Sequence, residues 1–181
     1  DTYLANNTAN KQVYNYGTIY TFTQFDSISV CEGTFTDPGG VVGDWSAPFS
    51  DTVTIYPGGP NLRTRLTFLE FDNGWGQFWI YDGKDANAPA IDLTPDNNNT
   101  LYAYDTEIAQ VVTAKNTEGA LTIVFGSNYG SAVGWIASIS CYQPPADDFQ
   151  LKSIATSIPT IFEQDEVSIS AVVYNAGLNS Q

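Results

Sequence analysis

"DTVTIYPGGPNLRTRLTF", residues 51–68, sets two alternating runs on either side of a four-residue breaker. Val53 and Ile55 alternate with Thr52 and Thr54, and Leu66 and Phe68 share one face beyond the break. A period of two places one row of side chains on a buried face and the other toward solvent, which is the mark of a half-buried β-strand. Pro57-Gly58-Gly59-Pro60 interrupts both runs, because proline has no N–H for a ladder and glycine reaches turn conformations freely. The same grammar recurs outward from this point. Residues 20–25 alternate as Tyr-Thr-Phe-Thr-Gln-Phe, and Phe78-Trp79-Ile80-Tyr81 runs into the turn dipeptide Asp82-Gly83. Residues 120–125 form a mostly apolar strand suited to a sheet centre, and residues 135–141 form the last strand of the unit. No window holds an apolar stripe at helical period. The expected fold is all-β, with two antiparallel sheets packed face to face.

Bulk properties bound the function. The 181 residues are 43% hydrophobic and 14% aromatic, enough for a packed core. Six basic residues against twenty acidic ones give a formal charge of −14, which repels phosphate backbones and anionic lipid. Neither nucleic acid nor direct membrane insertion is expected, since no apolar stretch nears the length of a span. The opening DTYLANN lacks the regions of a signal peptide, so either none existed or it has been removed. Cys31 and Cys141 lie too far apart for a CxxC motif, and with no histidine or methionine in the chain no soft metal site can be completed. A disulfide is the expected use, implying an oxidising compartment and an extracellular, secreted or cell-surface setting, with two buried free thiols as the alternative. Without histidine there is no Ser-His-Asp arrangement and no imidazole acid or base. The neighbouring acids Glu70 with Asp72, and Asp147 with Asp148, read as solvent-facing charges on a strand and a linker rather than a glycosidase pair. No enzyme activity and no nucleotide cofactor are expected.

Gln143-Pro144-Pro145-Ala146-Asp147-Asp148 is the clearest boundary, since paired prolines followed by acids cannot continue a central strand. The expected organisation is an extended arm over residues 1–16, a sandwich over 17–143, a linker over 144–148, and the beginning of an incomplete second β domain over 149–181. Two alternating runs, 149–154 and 166–175, make up that last segment, too few strands to close a sandwich.

The pieces Cys31-Glu32-Gly33-Thr34-Phe35-Thr36-Asp37-Pro38-Gly39-Gly40, Gly43-Asp44-Trp45-Ser46 and Ile55-Tyr56-Pro57 closely resemble the start of a CUB domain of the bacterial type. Later pieces match in order: Leu66-Thr67-Phe68 with Phe71, Ile80-Tyr81-Asp82-Gly83, Val124-Phe125-Gly126-Ser127, and residues 134–141. The match covers residues 17–142 and implies a jelly-roll-like sandwich and an extracellular binding role. It also gives Asp37-Pro38-Gly39-Gly40 the part of a tight turn and Phe35 and Trp45 the part of core anchors. Many CUB domains hold calcium through a glutamate and two aspartates. Here the matching positions fall within Asn73-Gly74-Trp75-Gly76 and at Asn128, so the carboxylates are missing, and calcium, which takes several oxygen ligands, is left only the weak candidates Asp37, Asp72 and Asp82.

The same departure leaves Trp75 between two glycines in a loop and Tyr129 in the loop that adjoins it in the resembled fold. Trp75, Tyr129 and Asn128 are the expected contacts for a sugar ring or a protein partner, the alternative being that Trp75 caps the sandwich end. Residues 166–177 resemble the early strands of the immunoglobulin-like CARDB-type adhesion repeats of bacterial surface proteins. A CUB-like domain joined to such a repeat is similar to large secreted or surface proteins of Bacteroidetes-type bacteria. The expectation is a non-catalytic binding or adhesion module of a larger bacterial polypeptide, meeting protein or glycan at the cell surface. The alternatives are an accessory domain of a secreted hydrolase, peptidase or glycosidase, and a structural subunit that lends a strand to a neighbour.

Overall fold

Alternation along the strands sorts the side chains into two rows, and the inward rows of two sheets meet in one aromatic core. The structure, a computed structural model, describes residues 15–93, 108 and 111–145, with the backbones of two further strands, Phe149–Thr156 and Ile169–Asn175. The first sheet runs in the order β1 (Ile19–Thr21), β3 (Glu32–Thr36), β11 (Gly134–Tyr142), β6 (Arg63–Asp72), β8 (Val111–Thr113). The second runs β2 (Ser27–Ser29), β5 (Phe49–Tyr56), β9 (Leu121–Ser127), β7 (Gln77–Tyr81). A short ladder joins β4 (Trp45–Ser46) to β10 (Ser131–Ala132). The chain is all-β and forms a β-sandwich.

The sheets are not purely antiparallel. β1 pairs parallel with β3, and β2 parallel with β5. Early strands alternate between the sheets, so β1 and β3, separated by one strand of the other sheet, point the same way; parallel neighbours need such a crossover. The alternation over residues 20–25 overstates β1, which ends at Thr21 in a turn closed by Gln24 N–H to Thr21 O at 3.0 Å. That turn drops Phe22 into the core, where it is fully buried.

Trp135 of β11 and Phe125 of β9 face each other across the sandwich, ring centroids 6.1 Å apart. Trp135 also meets Phe22, Phe35, Phe68 and Phe78 at 5.0–6.4 Å. Phe125 meets Phe22, Trp45, Phe49 and Phe78 at 4.9–5.9 Å. Tilted and edge-on rings of this kind add about 0.5–1.5 kcal/mol per pair beyond the area they bury. Phe35 and Trp45 are fully buried, as the expected core anchors. Asp37-Pro38-Gly39-Gly40 is a turn, closed by Gly40 N–H to Asp37 O at 3.2 Å with Gly40 at φ +79°.

Cys31 and Cys141 form a disulfide. It joins neighbouring strands of one sheet, at the start of β3 and the end of β11, where Glu32 pairs Ser140. Beyond it, β12 (Phe149–Thr156) and β13 (Ile169–Asn175) pair antiparallel, in the segment read as two strands. Residues 1–14 of the expected arm, 146–148 of the linker and 166–168 of the last alternating run lie outside the described residues. Among the described residues no helix is long and apolar enough to cross a membrane.

Closing a loop of 110 residues, the bridge constrains the unfolded chain by about 4–5 kcal/mol. Replacing both cysteines by serine is expected to lower the unfolding free energy by an amount of that order, measured by denaturant titration. Coincident curves for the two proteins would show that the bridge leaves stability unchanged.

Candidate ligand-contact groove

Phe125 and Phe78 point inward, so their neighbours along β9 and β7 must point out. Register then sets those outward residues in rows across the second sheet. Ser50, Gly126 and Gln77 form one row; Thr52, Val124 and Trp79 form the next; Thr54, Thr122 and Tyr81 form the third. The third row is covered. Thr122 Oγ1 donates to Gly83 O at 2.8 Å, Thr54 Oγ1 lies 3.2 Å from Lys84 O, and both threonines are buried beneath the turn after β7. The first two rows stay open. In the first, Gly126 carries no side chain between Ser50 and Gln77, and a Cβ there would stand a tight 3.0 Å from Phe49 O and Ser50 Cα, so glycine lets β5 and β9 lie close.

Two loops wall this trough at the sandwich end. Residues 73–76 carry the chain from β6 to β7, and residues 128–133 carry it from β9 to β11, so both cross from one sheet to the other. Trp75 stands at the tip of the first loop, 54% exposed, and Tyr129 on the second, 77% exposed. Together they bound a groove of about 350 Å³ over Trp79, Gln77 and Gly126, with Asn128 on its rim. The structure thus brings Trp75, Tyr129 and Asn128 to one place.

Hydrogen bonds to backbone hold the loops from below. The buried Ser127 hydroxyl lies 2.7 Å from Tyr129 O and 3.2 Å from Trp75 O, and accepts from the Tyr129 N–H at 3.3 Å. Gly74, at φ +50°, presses against Ala132, and Asp72 Oδ1 accepts its N–H at 3.0 Å. Ala47 N–H donates to Gly130 O at 3.0 Å, tying the second loop to β4 and β5. A Cβ on Gly130 would stand 2.9 Å from the Trp75 indole, so glycine there lets the two loops close on each other.

The three aspartates weighed for calcium do not converge. Asp37 and Asp72 lie at the groove end of the first sheet, at the ends of β3 and β6, whereas Asp82 follows β7 at the opposite end. Asp82 Oδ1 accepts from Lys115 N–H and from the backbone and side chain of Asn116 at 2.6–3.1 Å. Among the described residues no group of three or more His, Cys, Asp or Glu is placed to hold a metal.

Trp79, Gln77 and Gly126 were not singled out in the sequence, although the alternation over 78–81 already set Trp79 on the face opposite Phe78 and Ile80. The missing information was which neighbours stand beside them. That is a matter of register, which local pattern does not carry.

Asp37 is fully buried at the base of this end. Its Oδ1 accepts from Gly39 N–H at 2.6 Å and its Oδ2 from Trp135 N–H at 2.9 Å, joining the β3–β4 turn to β11. Gly134, at φ +88°, is required beside it, since a Cβ would overlap the carboxylate. Burial pushes the Asp37 carboxyl up to about 6 from 3.8, helped by Asp44 and opposed by the N–H donors of Gly39 and Trp135.

No family model matches the chain, and no curated protein does. Among solved structures, the chain matches the full extracellular region of zebrafish Gpr126/Adgrg6 at 13% identity with a TM-score of 0.48. The match covers 80% of this chain and 16% of that one, so the chain spans about a sixth of its length.

With its folded value raised, Asp37 contributes stability that is fully present below about pH 4 and lost as pH rises through about 6. Wild type minus Asp37→Asn, measured by urea unfolding from pH 4 to 7.5, is expected to show that decline while the other acids cancel. A flat difference would show that Asp37 titrates alike in the folded and unfolded chains.

Proposed function

We propose that the chain is a non-catalytic, extracellular binding module of a larger secreted or cell-surface polypeptide. It is built on a CUB-type sandwich, with the groove between residues 73–76 and 127–130 as its contact surface. The observation that carries this reading is the pair Trp75 and Tyr129, held more than half exposed over a groove by loops bonded to one buried serine hydroxyl. Both rings lie outside the buried core cluster and line the groove on its solvent side. Rigid aromatics of this kind offer contact area at low entropic cost, and preorganised loops lose little further freedom on binding.

Two further facts support it. Apart from the Tyr129 phenol, the groove lining has no ionisable side chain and the whole chain has no histidine, which speaks for recognition rather than acid–base chemistry. The disulfide suits an oxidising, extracellular setting. The adhesion role and the bacterial surface setting rest on the motif resemblance described above.

The four tryptophans divide cleanly, with Trp45 and Trp135 buried and Trp75 and Trp79 at the groove. In NMR titrations with peptide and oligosaccharide libraries, ligands are expected to shift the indole resonances of Trp75 and Trp79 and leave the other two in place. Replacing Trp75 and Tyr129 together by alanine is expected to weaken binding by about tenfold or more, the equivalent of about 1.4 kcal/mol. A ligand bound with those two indoles unmoved, or bound equally by the double variant, would rule the groove out.

A further inference from the structure

The outer face of the second sheet does not look like ordinary solvent-facing strand surface. Of its three outward rows, the one near Asp82 is roofed by the turn after β7, while the two near the loops are left open with an indole, Trp79, lying on edge strand β7. Next to that indole the sheet has a glycine floor at Gly126, a carboxamide at Gln77 and a hydroxyl at Ser50. Asn128 adds a second carboxamide, and Trp75 and Tyr129 close the far side. No residue lining this groove carries a charge at neutral pH, although the chain has twenty acidic and six basic residues.

Each of these features removes a class of ligand. An anionic ligand meets no lysine or arginine in the groove and a net charge of −14 around it. A cationic ligand meets no carboxylate there. A purely apolar ligand would strand the two carboxamides and the Ser50 hydroxyl, and buried polar groups left unpaired are costly. Among uncharged ligands, a ring with apolar C–H faces and hydroxyl groups around its edge matches both the indoles and the polar side chains of the lining. Trp79 and Trp75 offer aromatic surface to such faces, and Gln77, Asn128 and Ser50 can each donate to and accept from such an edge. A groove of about 350 Å³ falls at the small end of the ~300–1,000 Å³ range of ligand pockets. Its open side lets a chain continue beyond the rings it holds.

We propose that this groove binds a neutral glycan, with a pyranose ring stacked on Trp79 over the Gly126 floor and its hydroxyls read by Gln77 and Asn128. This rests on the groove being the module's contact surface and goes beyond it by assigning the ligand class and by placing Trp79 and Gln77 at the centre of the site.

The test is affinity electrophoresis and calorimetry of the 181-residue chain against soluble neutral polysaccharides (mannan, xyloglucan, mixed-linkage β-glucan, arabinoxylan) and anionic ones (alginate, polygalacturonate). At least one neutral polymer is expected to bind, with an affinity that changes less than twofold between 50 and 500 mM salt. Trp79→Ala is expected to lower it at least tenfold. Gln77→Leu, at an exposed position where folding is not at stake, is expected to lower it three- to tenfold with an unchanged near-ultraviolet circular dichroism spectrum. Absence of binding to every neutral polymer, or binding that survives in both variants, overturns the proposal. A peptide or an anionic polymer that shifts the Trp75 and Trp79 indoles while neutral polymers fail overturns the glycan and leaves the groove standing as the contact surface. A neutral polymer that binds without moving either indole overturns both.

Discussion

Trp135 and Phe125, one from each sheet, meet in the middle of the sandwich with ring centroids 6.1 Å apart, and the outer face of the second sheet follows from which side chains are committed to that core. Strand side chains alternate, so committing Phe125 and Phe78 to the interior commits Gly126, Val124, Gln77 and Trp79 to the outside. A shift of one residue in β9 would bury Val124 and Gly126 and expose Phe125, losing the ring contacts that Phe125 makes with Phe22, Trp45, Phe49, Phe78 and Trp135. The core therefore fixes the outer face as firmly as it fixes itself. The groove is the reverse side of the core, in the sense that the same register determines both.

The two ends of the sandwich are built differently. At one, the disulfide between Cys31 and Cys141 ties adjacent strands, and Asp82 gathers the N–H groups of Lys115 and Asn116. At the other, three connections cross between the sheets, over residues 37–48, 73–76 and 128–133, held by hydrogen bonds to backbone and, in the first, by the buried Trp45. That end presents Trp75 and Tyr129 while it packs Trp45 into the core. Asp37 belongs to that presenting end, yet works as scaffold: its two oxygens accept N–H groups from the turn after β3 and from β11. A carboxylate in that role has its charge satisfied by dipoles rather than by a cation, and burial raises its proton affinity.

Nearby, Trp45 and Trp135 bring their indole N–H groups into the core, where neither has an acceptor among the described residues. Trp135 alone meets five phenylalanine rings.

Period-two patterning was legible in the strands around Val53, Leu66, Ile80, Ile123 and Ile139, because alternation is local, whereas the Asp37–Gly40 turn and the core places of Phe35 and Trp45 were implied by the motif resemblance. The two cysteines and the missing histidines also declared themselves in composition. Tertiary structure alone decided that β1 and β2 lie parallel to their neighbours, that the cysteines bridge two strands of one sheet, and that Asp82 sits away from Asp37 and Asp72. It alone set Trp79, Gln77 and Gly126 beside Trp75 and Tyr129. Those outcomes depend on which strands pair and in what register, a choice made by non-local packing across tens of residues that no short window of sequence contains.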